Sequence, residues 1–290
     1  MEAGTGPLAG VAKTALGMAM LRAEESRRPE RLFDDPYAAA FLAAASDRGD
    51  AVAFASAFAS GIERHAATSS TNRGANLGAQ FAVHGVLRTR FYDDYLLAAP
   101  CRQVVLLAAG LDTRAYRLAW PDGVRLFELD LPAVLAFKER VLADAGARPR
   151  CERVALAVDL RSDWAAALRG AGFEPDEPAA WLVEGLLIYL TADEARRLLS
   201  TVGVLAAPGS RLACEHGDLA SSQLLALARA TPAMAEYTAL WRGGLGAAVP
   251  ALLGEHGWRV RRHDLAEVAA RYGRPVPASS SGGFVTAVRG

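Results

Sequence analysis

The sequence has no pair of cysteines close enough to share a metal. Cys101, Cys151 and Cys214 are its only three, odd in number and far apart. That pattern supports neither a disulfide framework nor a zinc site, and it predicts reduced, mostly buried thiols. Net charge is missing too: lysine plus arginine and aspartate plus glutamate each total 32 in 290 residues. No global electrostatic argument remains for nucleic acid or an anionic membrane as a partner. No apolar run reaches the about 20 residues that a bilayer span needs. The apolar N-terminal segment holds Lys13 and has no basic residue ahead of it, which speaks against a signal peptide. A cytoplasmic protein is expected. Internal repeats are absent. The apolar fraction, 52%, is ample for one large α/β domain or for a core with an added cap.

Strand signals are lacking across the first hundred residues. Leu8 to Arg28 spaces Val11, Leu16, Met20 and Leu21 as a helix does, and "DDPYAAAFLAAA" offers Asp35 as N-cap before Pro36. Ala51 to Phe58 is apolar and alanine-rich, "SSTNRGANLGAQ" reads as a loop, and Gln80 to Ala98 resumes helical spacing. From residue 103 the texture changes. "QVVLLA", "VRLFELD", "RVALAVD", "AAWLVEGLLIYL" and "SRLACEH" are candidate strands, separated by helical stretches at Thr113–Leu118, Pro132–Asp144, Trp164–Gly170 and Ala192–Leu205. Apolar strands joined through helices imply a parallel sheet covered on both faces. Residues 218–256 read as helices. "GWRVRRHD" and "GGFVTAVRG" read as two closing strands, a hairpin-like pair at one edge, with "RPVPASSSGG" a short loop.

The glycine-rich dinucleotide fingerprint is also absent. "VVLLAAGLDTRAYRL" runs like a buried strand into a turn but holds a single glycine. In an open parallel sheet, ligands bind beyond the carboxyl ends of the strands. Gly110 permits a positive φ and Ala108 is small, so a ligand can lie on the backbone. Asp130 follows Gly110 by 20 residues, the distance at which an acid accepts the hydroxyls of an adenosine ribose. The plain alternative is a turn glycine and a helix N-cap before Pro132. Where a pyrophosphate would need bare N–H groups stands Leu111-Asp112-Thr113, whose carboxylate repels phosphate. It does not repel a cation. S-adenosylmethionine carries adenosine, a sulfonium, an ammonium and a carboxylate, with no phosphate. The turn therefore points to that cofactor. Asp159 and Leu160 could hold the adenine. Glu184, an acid amid apolar residues, is either bound to an arginine or a backbone N–H, or contacts the cationic methionine part. The second is favoured, since acids at strand ends in a cleft often bind ligands.

Taken together, "LFDDPYAAAF", "RTRFYDDYL", "VVLLAAGLDTRAYRL", "FELDLP", "FKERVL", "VDLRSDW" and "VEGLLIYL" resemble the leucine carboxyl methyltransferase family. That family includes protein phosphatase methyltransferases and actinobacterial relatives, some acting on polyketide carboxylic acids. The resemblance runs clearly from about residue 14 to 216, and weakly through "GWRV" and "GFVTAV" to the end. It implies an S-adenosylmethionine-dependent O-methyltransferase of secondary metabolism with a class I methyltransferase, Rossmann-like α/β fold. The sheet would be mostly parallel and seven-stranded. A helical N-terminal cap would occupy residues 1–98, and the cofactor-binding core 99–290 with a helical insertion at about 218–256. By the same resemblance Arg88 pairs with the cofactor carboxylate, with Arg90 a rival. Ala108 and Gly110 match the turn, where eukaryotic members have glycine for Ala108. Asp130, followed by Leu131, matches the ribose acid. Asp159 and Leu160 match the adenine contacts, and Glu184 the acid near the ammonium. Arg161 and Tyr189 fall where the family contacts a substrate carboxylate.

A carboxylate acceptor is ionised at neutral pH and needs no general base; it needs a cation to position it. Arg161 is the candidate clamp, unless it is a surface residue paired with Asp163, and Tyr189 could add a hydrogen bond. A phenol or alcohol would need a base, for which His216 is the best-placed histidine, ahead of His65, His84, His256 and His263. The preferred acceptor is the carboxylate of a small, partly apolar metabolite; a hydroxyl group or a protein C-terminus is the alternative. Trp241 either lines the acceptor pocket beside a glycine-hinged lid or belongs to the core. The acid pairs Asp34-Asp35 and Asp93-Asp94 read as helix caps and solvated faces, with no metal. A nicotinamide oxidoreductase would want GxGxxG, and a silent cofactor-binding scaffold would lack the acids at 130, 159 and 184.

Overall fold

A computed structural model of the chain describes residues 11–46, 73–216, 238–276 and 282–290. Among the described residues three helices come first: α1 (Val11–Ser26), α2 (Ala38–Ser46) and α3 (Arg73–Leu97). Strands and helices then alternate: β1 (Gln103–Leu107), α4 (Arg114–Arg117), β2 (Arg125–Asp130), α5 (Pro132–Asp144), β3 (Glu152–Ala157), α6 (Trp164–Gly170), β4 (Ala179–Val183), α7 (Ala192–Leu205) and β5 (Arg211–His216). The chain closes with α8 (Val249–Glu255), β6 (Trp258–Asp264), α9 (Leu265–Arg271) and β7 (Gly283–Arg289). The strands form one sheet in the order β3-β2-β1-β4-β5-β7-β6. Strands β1 to β5 pair in parallel, and β7 lies antiparallel to both β5 and β6. The order reverses between β1 and β4, so the cleft opens beyond their carboxyl ends.

The apolar runs explain the layering. Every residue of β1 and β4 is buried, because both are central strands covered on two faces. One face carries Val104, Leu106, Leu126, Leu182 and Phe284. It is covered by Leu16 of α1, Phe41 of α2, Leu87 and Phe91 of α3, Phe137 of α5 and Val268 of α9. The other face carries Val105, Phe127, Trp181 and Val285 under Leu168 of α6, Leu198 of α7 and Leu252 of α8. Each such side chain contributes about 1.5–3 kcal/mol by leaving water. Cys101 and Cys214 are buried, Cys151 is half-buried, and all three are free thiols. No helix among the described residues is long and apolar enough to cross a membrane.

Several segments differ from expectation. The loop read at 69–80 is helical from Arg73 onward; residues 69–72 lie outside the described part. Once α3 is nucleated, each added residue gains a hydrogen bond, so two glycines at about 1 kcal/mol each do not end it. The long run at 179–190 is not one strand. β4 stops at Val183, and Leu187–Tyr189 turn as a 3-10 helix. β3 ends at Ala157, leaving Asp159 beyond it. The two closing strands are antiparallel but not a hairpin: α9 separates them, and β7 inserts between β5 and β6. Ala51–Phe58, His65 and all of 218–237 lie outside the described residues.

The acid pairs also differ. Asp35 accepts from the N–H groups of Tyr37 and Ala38 at 3.1 and 3.2 Å, as a cap should. Yet its carboxylate is buried, against Arg22 at 2.7 Å and Thr113 at 2.7 Å. Asp93 is buried too, gripped by Arg114 and Arg117. Neither is a solvated face, because the arginines that neutralise them come from distant segments.

Candidate functional site

Every strand end that borders the cleft brings an acid. After β1 the chain turns through Ala108 at φ 55° and Gly110 at φ 52°. A left-handed conformation suits glycine and strains alanine by about 1–2 kcal/mol. Ala108 is the only non-glycine residue with positive φ among those described. The turn is fastened by Ala109 N–H to Leu129 O at 3.0 Å and by Asp112 N–H to Ala109 O at 2.9 Å.

Asp130 closes β2 and is buried. Its two oxygens accept from the Gly110 N–H at 2.6 Å and the Leu131 N–H at 2.7 Å. No lysine or arginine pairs with it among the described residues. Burial raises its pKa, and the two N–H donors pull it back only in part. Each oxygen keeps lone pairs for a further donor, as a ribose diol would supply. Leu131 is exposed at the start of α5. Asp159, beyond β3, is gripped by Arg161, with Nε and Nη2 contacts at 2.9 and 2.6 Å. That hydrogen-bonded pairing holds its carboxyl below the usual range. Leu160 is half-buried against the apolar layer under α6 and α7. Asp163 is not the partner of Arg161; it caps α6 by accepting from Ala166 N–H at 3.2 Å.

Glu184 follows β4 and is bound by two arginines, the alternative that the sequence had not favoured. Arg88 Nε donates to Oε1 at 2.8 Å and Arg114 Nη1 to Oε2 at 2.7 Å. Burial would raise its pKa, but Arg114 and Arg88 outweigh that and hold it low. Arg88 Nη1 also donates to Glu215 at 2.7 Å, while its Nη2 has no partner among the described residues. Arg90, its rival, is turned elsewhere: it binds Asp94 and the Leu32 carbonyl, and lies over the Tyr272 ring. The structure thus places Arg88 at the cleft and Arg90 away from it. Arg114, Glu215 and Arg117 were not singled out from the sequence, and Asp93 only as part of an acid pair. Arg114 stood in plain sight in "LDTRAYRL", but nothing in its spacing reveals a buried guanidinium.

The surroundings of Tyr189 are less polar. Tyr189, in the 3-10 turn, lies beside Thr14 and Trp241, and burial pushes its pKa up. Trp241 packs on Phe81 at 6.1 Å and against the Met20–Leu21 cluster. The glycines after it do not read as a free hinge. Arg242 and Gly243 N–H donate to Ile188 O at 2.8 and 3.1 Å, and Gly244 N–H to Leu190 O at 2.9 Å. A side chain on Gly244 would strike the Leu187 carbonyl, so glycine there allows a close strap.

The histidines divide between the two faces of the sheet. Strand alternation puts Glu215 on the α3 face and His216 on the other, toward Arg262 and Asp264. Burial and Arg262 lower the pKa of His216, and its Nδ1 has no partner among the described residues. His84, one turn before Arg88 on α3, stands nearer the charged cluster, its ring 5.6 Å from that of Phe284. Burial, with Arg88 close by, lowers its pKa to about 4.

The residues present fit S-adenosylmethionine better than a dinucleotide. Among the described residues Asp130 has acceptor capacity without a cation and Arg88 has a donor left, while Asp112 in the turn is taken up by Arg114.

Comparison with known proteins agrees. The family model described as leucine carboxyl methyltransferase matches residues 15–203. A "Putative S-adenosyl-L-methionine-dependent methyltransferase" of Parafrankia sp. (strain EAN1pec) is 51% identical over 286 residues, covering 97% of this chain and 88% of that protein. A protein given the same description in Frankia alni is 50% identical over 286 residues, covering 97% and 95%. Among solved structures, a DUF574 family protein from Streptomyces avermitilis superposes with TM-score 0.55 at 16% identity, covering 80% of this chain and 97% of that one. A structure described as a "putative methyltransferase" from Thermobifida fusca gives TM-score 0.54 at 19% identity, covering 74% and 83%. At such identity the likeness is one of fold.

Proposed function

The chain belongs to the leucine carboxyl methyltransferase family, and from that premise we propose that it is an S-adenosylmethionine-dependent O-methyltransferase forming a methyl ester on a small, partly apolar carboxylic acid. Its sheet order, with β7 antiparallel between β5 and β6, is that of a class I methyltransferase. When bound, the cofactor supplies an electrophilic methyl carbon on a sulfonium. The chain's own residues bind and orient. Asp130 accepts from the ribose, Asp159 and Leu160 hold the adenine, Glu184 meets the ammonium, and Arg88 Nη2 takes the carboxylate.

Arg161 and Tyr189 are the residues for the acceptor carboxylate. Arg161 is bound to Asp159 at the surface. An exposed pair of that kind is worth about 1 kcal/mol or less, so an incoming carboxylate can share the guanidinium. The half-buried Trp241 beside Tyr189, with Phe81 packed on it, favours an apolar acceptor body. One observation carries the preference for a carboxylate: among the described residues, neither His216 nor His84 suits a base. His216 lies on the opposite sheet face from Arg88, and His84, with its pKa near 4, is too weak a base for a phenol whose pKa is about 10. A carboxylate requires no base.

The test is transfer of labelled methyl groups to a panel of apolar carboxylic acids, phenols and C-terminal peptides. Label released as methanol by mild alkali marks an ester. Alkali-stable label on a phenol, lost about 100-fold or more in H216A, would instead support the hydroxyl reading. Ester formed on peptides alone would move the assignment to a protein C-terminus.

A further inference from the structure

Glu215 is the penultimate residue of β5, at the rim of the cleft. Its Oε1 accepts from Arg88 Nη1 at 2.7 Å and from the Gly185 N–H at 2.7 Å. Through Arg88 it joins a continuous ion-pair chain. Glu215 and Glu184 share Arg88; Glu184, Asp112 and Asp93 share Arg114; Asp93 also holds Arg117. Among the described residues four carboxylates of this chain of ion pairs thus face three guanidinium groups, one negative charge more than positive.

Position decides where that charge collects. Glu184 and Asp93 each bind two arginines, and Asp112 binds Arg114 by both side chain and backbone N–H. Glu215 has one arginine, and that one is shared. The pKa directions agree. Glu184 and Asp112 are held low by their arginines against the pull of burial, whereas burial and the neighbouring Glu184 push Glu215 up despite Arg88.

Resting on the cofactor reading above, we propose that Glu215 supplies the unpaired negative charge by which this site prefers the charged cofactor to its demethylated product. S-adenosylmethionine carries a net positive charge, its sulfonium and ammonium outweighing one carboxylate. S-adenosylhomocysteine carries none. The methyl group and the positive charge leave together, so the same acid that favours entry of the cofactor favours release of the product. A full charge acting through an effective dielectric of about 20, over one or two side-chain lengths, corresponds to at least about tenfold in affinity.

Isothermal titration calorimetry of both ligands against wild type and Glu215→Gln tests this. Glutamine keeps an oxygen for Arg88 and the Gly185 N–H and removes only the charge. The expected result is a loss of about tenfold or more for S-adenosylmethionine and a change within about threefold for S-adenosylhomocysteine. Equal losses for both ligands, which a merely structural role would produce, overturn the proposal, as does an unchanged ratio. Wild-type protein that binds neither ligand refutes the methyltransferase reading itself. Should E215Q not fold, wild-type protein titrated with sinefungin, whose ammonium replaces the methylsulfonium, reads the same preference. Binding at least about tenfold tighter than S-adenosylhomocysteine supports it, and equal or weaker binding overturns it.

Discussion

Replacing Arg114 by methionine keeps the length of the side chain and removes its charge from the most enclosed point of the site. The guanidinium is 2% exposed. Its Nε reaches Asp93 at 2.7 Å, its Nη1 reaches Glu184 at 2.7 Å and also Asp112, and its Nη2 the Thr89 carbonyl at 3.4 Å. Hydrogen bonds to charged groups contribute about 1.5–3 kcal/mol each. Summed over three carboxylates this is an upper bound, because water and neighbours relax into the gap. Removing one partner of a buried ion pair costs about 3–5 kcal/mol, and that is the expected loss for R114M at pH 7. Urea denaturation followed by tryptophan fluorescence measures it.

The pH dependence makes the test sharper. Burial alone would raise the carboxyls of Glu184 and Asp112, but their arginines hold both below their ordinary values of 4.5 and 3.8. A carboxyl depressed on folding stabilises above its unfolded pKa, and that contribution is lost as pH falls through the folded value. In R114M the two acids stay buried with less compensation, so their pKa values rise and protonation relieves them. The gap between wild type and variant should therefore narrow as pH falls below about 5. A cost under about 1 kcal/mol, or a gap constant with pH, would refute the claim that Arg114 neutralises this cluster.

Ala108→Gly should stabilise the protein by about 0.5–1 kcal/mol, since relief of the left-handed strain exceeds glycine's added freedom when unfolded; a lowered melting temperature contradicts the turn as described. Asp130→Asn should weaken S-adenosylmethionine and S-adenosylhomocysteine alike, by about tenfold or more, and calorimetry showing a change under about threefold would remove Asp130 from the ribose site. His84→Gln should flatten the acid side of the stability curve. A histidine held neutral from 6.5 down to about 4 gives stability present above pH 6.5 and lost as pH falls toward 4, on the order of 3 kcal/mol. Identical wild-type and variant profiles in that window would show that His84 does not titrate with folding.

Much of the architecture was legible from periodicity. The limits of α5, α6 and α7 coincide with the expected Pro132–Asp144, Trp164–Gly170 and Ala192–Leu205, because each begins at a proline or capping residue and buries one regular stripe. The strands were legible for the same reason. β4 was overread, since "LLIYL" is as apolar in a 3-10 turn as in a strand. α9 was missed although Leu265, Val268 and Ala269 recur at helical spacing; two flanking strand signals hid it.

What the sequence determined by itself was the alternation of strands and helices and the acids at the strand ends, for both follow from residues near one another in the chain. What only the tertiary structure decided was which charges meet. Arg88 and Glu184 are 96 residues apart, and Arg88 and Glu215 are 127 apart. Their pairing depends on β4 and β5 lying side by side under α3, a contact set by packing of the apolar layers, and no local pattern encodes it.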